Sequence, residues 1–359
     1  MTPDVIFIGA GVAGLGAAWL LAEKGVKVLV LERDEAGAGT SGRAGGMLAP
    51  SAELKFGEEE LLKFELESMR LWPDFVARLE ARSQMKVDYR THGTLIVAVD
   101  RDDLERIDHL WTYHRELELE VQRMDGDALR ELEPGLAPGI PGGLYVRGDH
   151  QVDPRLLVQA LVKAIRNAGG SVREGCRVLA IETEAGAVSG VQLEEGFISA
   201  PSVVVSAGVW LKEIEGLPKD DRPRVRPVRG QMIAVECGEP PLLKHVVRGP
   251  DAYLIPRSDG ELVIGSTMEE QGFDPALTAG GLMDILVGAW EVLPGIHQAR
   301  VLGTWTGFRP MTLDNMPQVR ASSVPGLFWS VGHGRNGILL TPATAERMVS
   351  VYEGSVLVG

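Results

Sequence analysis

The stretch DVIFIGAGVAGLGAAWLLAEKGVKVLVLERD, residues 4–34, constrains the fold of this chain more than any other. It reads as strand, glycine turn, helix and second strand. Val5, Ile6, Phe7 and Ile8 form the short apolar run of a strand buried on both faces. Residues 13–24 have helical composition and stop at Gly25. Gly9, Gly11 and Gly14 make GxGxxG in the context that gives the motif meaning. Gly9 permits the tight turn, Gly11 lets the backbone approach a pyrophosphate, and Gly14 lets the helix pack on the strand. Val12 and Ala13 start the helix, where unpaired N–H groups face phosphate. Glu32 ends the second strand where an acid takes ribose hydroxyls, and Arg33 follows it. A dinucleotide-binding chain is the expectation.

The rest of the chain indicates which dinucleotide. After residue 34 the βαβ pattern gives way to a loop of small residues, among them Thr40, Ser41, Gly45 and Gly46, that lets the backbone lie against a flat ring. A second glycine-rich element, GHGRNGILLTPATAERM, begins at residue 332 and leads into a helical stretch. Its N–H groups and positive helix end suit a developing negative charge. Reduced flavin carries such a charge, whereas a nicotinamide has no need of one, so FAD is expected.

With 359 residues, 45% hydrophobic and 24% charged, the chain suits a globular protein of two or three domains. A formal charge of -14 argues against nucleic acid or an anionic membrane surface as the main partner. The acidic runs GEEELLKFELE and ELELE read as solvated helix faces. Cys176 and Cys237 are far apart and form no CxxC pair, so they read as buried thiols in a reducing compartment. The histidines show no metal-ligand spacing, and no metal is expected. His333 reads as structural. Without a leader pattern or an apolar run of spanning length, the expected location is cytoplasmic.

Residues 86–145 and 221–313 carry alternating strands and hairpin turns such as Asp259-Gly260, which suggests one antiparallel sheet built from two segments. Between them DPRLLVQALVKAIRNAGG is an amphipathic helix, followed by CRVLAIE and by SVVVSAG, an apolar run that returns to the parallel sheet. The expected fold is α/β. A Rossmann-like FAD-binding domain with a parallel sheet (1–85, 146–220 and 314–359) is interleaved with a substrate domain on a largely antiparallel sheet (86–145 and 221–313). In WTGFRPMTLDNMP, Arg309 follows Trp305 and Phe308 and precedes Pro310. Burial there requires an anion for its guanidinium, and a carboxylate fits that planar fork.

The order of motifs, from GxGxxG through GTSGRAGGM, VDP, VVVSAG, RGQM and YLIPRSDGELVIGSTM to GHGRNGILL, resembles the D-amino-acid-oxidase-like FAD-dependent oxidoreductases. Within them it is most similar to the glycine-oxidase branch of the thiamine-biosynthesis type. The resemblance spans nearly the whole chain. It implies that Val178, Ser206, Ala207, Gly208 and Trp210 join the FAD contacts. From the last loop it adds Gly334, Arg335, Asn336, Gly337, Ile338 and Leu339, with Met47 and Arg309 reaching the same cofactor. For the substrate it implies a carboxylate clamp at Arg309, helped by Tyr253, a thioether wall of Met47 and Met268, and Arg335 near the pocket mouth. Asp251 departs from the pattern, which tends to place histidine there.

The implied activity is oxidative deamination of glycine, sarcosine and D-alanine by hydride transfer to flavin N5. The products are an imine, then a 2-oxo acid and ammonia, with dioxygen reduced to hydrogen peroxide; the imine also suits thiazole synthesis. A homo-oligomer is implied as well. The residues leave open a flavin dehydrogenase for D-amino acids or proline-like amines with another electron acceptor, and a non-catalytic dinucleotide-binding module. The sarcosine-oxidase branch tethers its flavin through a cysteine where this chain has MTLDNMPQV, so FAD is expected to be non-covalent. Acid precipitation of the purified yellow protein should leave intact FAD in the supernatant. Flavin retained in the pellet would contradict this.

Overall fold

Alternate residues of the first strand, Val5–Ile8, enter two different cores. Val5 and Phe7 belong to one apolar cluster, Ile6 and Ile8 to another. The computed structural model describes residues 2–238 and 240–356 and shows what fills each side. The strand lies inside a six-stranded sheet in the order Gln318–Ala321, Leu327–Val331, Val203–Val205, Val5–Ile8, Val28–Leu31, Ser171–Arg173. All neighbours are parallel except Gln318–Ala321 with Leu327–Val331. Helices Val12–Glu23, Glu59–Ser83, Pro154–Asn167 and Thr341–Val356 cover the Val5 and Phe7 side through Leu15, Trp72, Leu157 and Met348. A three-stranded antiparallel layer, Val178–Glu184, Ala187–Leu193 and Gly196–Ser199, covers the other through Ile181 and Val191.

CRVLAIE thus opens a separate layer, and its outer end, Glu182 to Glu184, is exposed. Cys176 and Cys237 are free and half-exposed, flanking strands, which corrects their reading as buried.

The second sheet has eight strands in the order Arg300–Met311, Arg226–Glu236, Glu261–Gly265, Tyr253–Pro256, Val246–Arg248, Thr94–Val97, Gly142–Val146, Gln122–Asp125. Its neighbours are antiparallel except at one seam, where Val246–Arg248 runs parallel to Thr94–Val97. That seam joins the two segments read from sequence as one sheet, so the α/β fold class holds.

A helix, Ala279–Val292, lies inside a region read as strands and turns. It buries Ile285, Ala289 and Val292 but leaves Met283, Leu286, Val287 and Trp290 exposed. With both faces apolar, the run AGGLMDILVGAWEV carries no 3.6-residue alternation to read. The acidic run GEEELLKFELE is also corrected. Glu65 is only 3% exposed, whereas Glu116, Glu118 and Glu120 of ELELE are solvated as expected.

Two glycines position the turn after the first strand. Gly9 has φ +101°, and a Cβ there would stand 2.7 Å from Ser206 O. A Cβ at Gly14 would overlap Ser206 Oγ and lie 2.9 Å from Gly9 O. Gly14→Val should therefore push the helix off the sheet, costing about 1 to 3 kcal/mol and lowering both Tm and FAD content. Thermal unfolding with wild-type Tm and flavin stoichiometry would count against this packing.

Candidate active site

The turn at Gly9, the end of the second strand, the small-residue loop and the last glycine-rich loop converge at the carboxyl ends of the parallel strands. There they line a cleft with about 1470 Å³ of empty space. This is where open α/β sheets bind ligands. Helix Val12–Glu23 starts at Gly11 with no side-chain cap and no acid in its first turn. The Gly11 and Ala13 N–H groups find no acceptor among the described residues, and Val12 N–H donates to Ser41 Oγ at 3.1 Å. Unpaired donors at a helix start form an anion site. Glu32 is fixed by accepting Ala10 N–H at 2.7 Å and Asp34 N–H at 3.1 Å. Arg33 stacks over Trp210 at 4.5 Å and pairs with Glu213 at 3.1 Å, so it builds the wall instead of offering a free charge. Thr40 Oγ1 donates to Phe308 O at 2.6 Å and ties the loop to the second sheet.

These features fit FAD: uncapped amides for phosphate, an acid for ribose hydroxyls, and a wall of small residues for a ring system. Gly9, Gly11, Val12, Ala13, Glu32, Arg33, Thr40, Ser41 and Gly45 line the cleft. Val178, Ser206, Ala207, Gly208, Trp210, Gly334, Gly337 and Ile338 line it too. Five residues of the sequence reading stand elsewhere, among them Met47, which lines the adjoining cavity and not the cleft. Gly14 packs on Ser206 behind the turn, and Gly46 faces an adjoining cavity. Asn336 is buried with its amide donating to Glu65, and the carbonyl of Leu339 accepts from Ser68 Oγ at 2.7 Å and Trp72 Nε1 at 2.8 Å. Asn336 and Leu339 support the last loop from behind.

The adjoining cavity, about 810 Å³, brings together Met47, Tyr253, Met268, Arg309 and Arg335. Arg309, Tyr253 and Arg335 line the cleft as well. Arg309 Nη1 donates to Thr267 O at 3.1 Å and Arg229 O at 3.4 Å, and Nη2 donates to Ser266 Oγ. No carboxylate among the described residues lies within ion-pair distance of it, whereas nearby Arg229 pairs with Glu269 and with Asp274 at 2.9 Å. Arg309 is thus oriented by neutral oxygens and keeps its charge uncompensated. Burial raises the Tyr253 hydroxyl above its ordinary value, so it remains a neutral donor. Met47 is half-buried, but Met268 is 55% exposed and forms rim, not wall.

Arg335 is buried and ion-paired with Glu58, and it donates to Glu53 O at 3.2 Å, so its charge is already met. His333 Nε2 lies 3.0 Å from Thr344 Oγ1, and burial pushes its pKa down to about 4. It is a neutral structural side chain. Glu53, Lys55 and Arg248 also line this cavity and escaped the sequence reading. Nothing local marks them, since strand pairing brings Arg248 to a loop nearly two hundred residues away.

The chain matches the family model described as FAD dependent oxidoreductase (DAO) over residues 4–351. It is 33% identical over 361 residues to a glycine oxidase of Pseudomonas putida, across 99% of this chain and 96% of that one. It is 35% identical over 350 residues to the bifunctional protein ThiO/ThiG of Synechocystis sp., across 96% of this chain and 50% of that protein, so the chain spans half the length of that relative. The crystal structure of glycine oxidase from Geobacillus kaustophilus superposes with a TM-score of 0.92 at 30% identity, over 98% of this chain and 95% of that one.

Behind the last loop, burial raises the Glu65 carboxyl from 4.5 to about 8. Between those values the folded chain keeps a proton that the unfolded chain has lost, so stability falls as pH rises through the window, by up to about 1.4 kcal/mol per pH unit. Glu65→Gln keeps an acceptor for Asn336 and removes the titration. Its Tm should decline less than wild type across that window. Parallel Tm curves for the two proteins would overturn the assignment.

Proposed function

The chain belongs to the DAO family of FAD-dependent oxidoreductases, and on that premise we propose that it oxidises glycine and comparably small amines, including sarcosine and D-alanine. The observation that carries this reading is Arg309, an uncompensated guanidinium where the adjoining cavity meets the FAD cleft. Its planar fork suits a carboxylate, and Tyr253 stands ready to donate to the same group. Ser266 and Thr267 hold the fork in place, so the substrate is oriented before any bond changes. Met47 and Tyr253 narrow the space around Cα and favour small substituents.

Bound FAD supplies the acceptor for the hydride lost from Cα. The amine must be neutral at that moment, and His333, bonded to Thr344, does not take its proton. The imine then hydrolyses to a 2-oxo acid and ammonia, or methylamine where sarcosine is the substrate, with dioxygen taking the two electrons as hydrogen peroxide. The likeness to the bifunctional ThiO/ThiG protein supports delivery of imine to thiazole synthesis. The exposed Met283, Leu286, Val287 and Trp290 face supports a homo-oligomer. Two free thiols support a cytoplasmic setting, and no described helix is long and apolar enough to cross a membrane.

Arg309→Ala should weaken glycine binding about 10- to 100-fold, equivalent to about 1.5 to 3 kcal/mol, and Arg309→Lys should restore it only in part. FAD content should survive in both. The measurement is anaerobic flavin bleaching by glycine, followed by admission of air with peroxide detection. Unchanged affinity and bleaching rate in the alanine variant would remove the anchor of this reading.

A further inference from the structure

We infer that the substrate cavity contains a second anion subsite, formed by Lys55 and Arg248, that selects amino acids bearing an additional carboxylate. This rests on the reading of Arg309 as the clamp for the first carboxylate. Arg248 pairs in register with Tyr253 on antiparallel neighbouring strands, so the two side chains leave the same face of the sheet with Cβ atoms about 5 Å apart. Tyr253 in turn pairs with Gly265. Arg248 therefore stands on the far side of Tyr253 from the Gly265 strand and its neighbour Ser266, which holds Arg309. A substrate gripped by Arg309 and Tyr253 extends toward it.

Both cations have capacity to spare. Arg248 spends one nitrogen on Ala52 O and otherwise has only Glu53 at 3.9 Å. Lys55 lines the cavity, and its ammonium makes no hydrogen bond or ion pair among the described residues. Lys55 is solvent-exposed where it lines the cavity, and its pKa is lowered by partial desolvation and by the charge of Arg335, then of Arg248, against the opposing pull of Glu58 and Glu53. The turn just before Lys55, residues 51–53, is anchored. Asp149 accepts from Ser51 N at 3.3 Å and Ala52 N at 2.8 Å, and His114 Nε2 lies 2.9 Å from Ser51 O.

Charge balance points the same way. Arg335 and Glu58 cancel, leaving Lys55, Arg248 and Arg309 against Glu53 and Asp251 in the cavity wall. One positive charge remains. On binding, before the amine loses its proton, a glycine zwitterion leaves it unmatched, whereas a dicarboxylic amino acid carries one net negative charge and matches it.

Iminodiacetate and sarcosine, secondary amines that differ by one carboxylate, test the subsite. In the wild-type holoenzyme, kcat/KM for iminodiacetate should exceed that for sarcosine by about tenfold. Lys55→Glu and Arg248→Met should each lower that ratio about tenfold, with flavin content confirming a folded holoenzyme. Lys55→Glu alone suffices if Arg248→Met fails to fold. A wild-type enzyme that prefers sarcosine, or a ratio unmoved by Lys55→Glu, overturns the subsite while leaving the small-amine reading intact. Iminodiacetate turnover with no reduction by glycine or sarcosine upholds the subsite and overturns the small-amine reading. No reduction by any of the three overturns both.

Discussion

A strand that is apolar on both faces has to be covered on both faces, and the rest of the architecture follows from how Val5–Ile8 meets that demand. One covering layer is helical and draws on the far end of the chain, since Thr341–Val356 packs beside the first helix. The other is a small antiparallel sheet inserted before Val203–Val205. Closing both cores brings the glycine turn at Gly9, the Ser206 backbone and the loop from Gly332 to one edge of the sheet. The cleft is the space left where these connections cannot pack further, because Gly9 and Gly14 already touch Ser206.

Several polar groups around the cleft are paired with one another. Arg335 meets Glu58, Asn336 meets Glu65, and Arg229 meets Glu269. Arg257, only 4% exposed, donates to Val152 O at 2.9 Å and to Gly45 O, clipping the small-residue loop to the second sheet. Unpaired buried charge is costly, so these contacts fix the scaffold. Against that background Arg309 stands out for being held by neutral oxygens alone. A frame of paired charges around an uncompensated cation suits an anion.

Local readings succeeded where chemistry and spacing coincide. The βαβ unit was legible because strand periodicity, helix composition and GxGxxG agree within thirty-one residues. The last loop was legible as a glycine-rich element leading into a helix. The acidic run near residue 60 was misread, because burial of Glu65 depends on a partner, Asn336, that lies 271 positions away. The helix Ala279–Val292 was missed because its exposed face is as apolar as its buried one.

The sequence by itself determined the class of fold, the dinucleotide turn and the arginine within an apolar strand, since each is written in neighbouring residues whose spacing sets their geometry. Tertiary structure alone decided which charges survive at the site. It cancelled Arg335 against Glu58, moved Met268 to the rim, and carried Lys55 and Arg248 from distant segments to the cavity that Arg309 and Tyr253 line. Whether a charged side chain is neutralised, solvated or left facing a cavity depends on partners brought in by sheet pairing and helix packing. A single stretch of sequence contains no record of those partners.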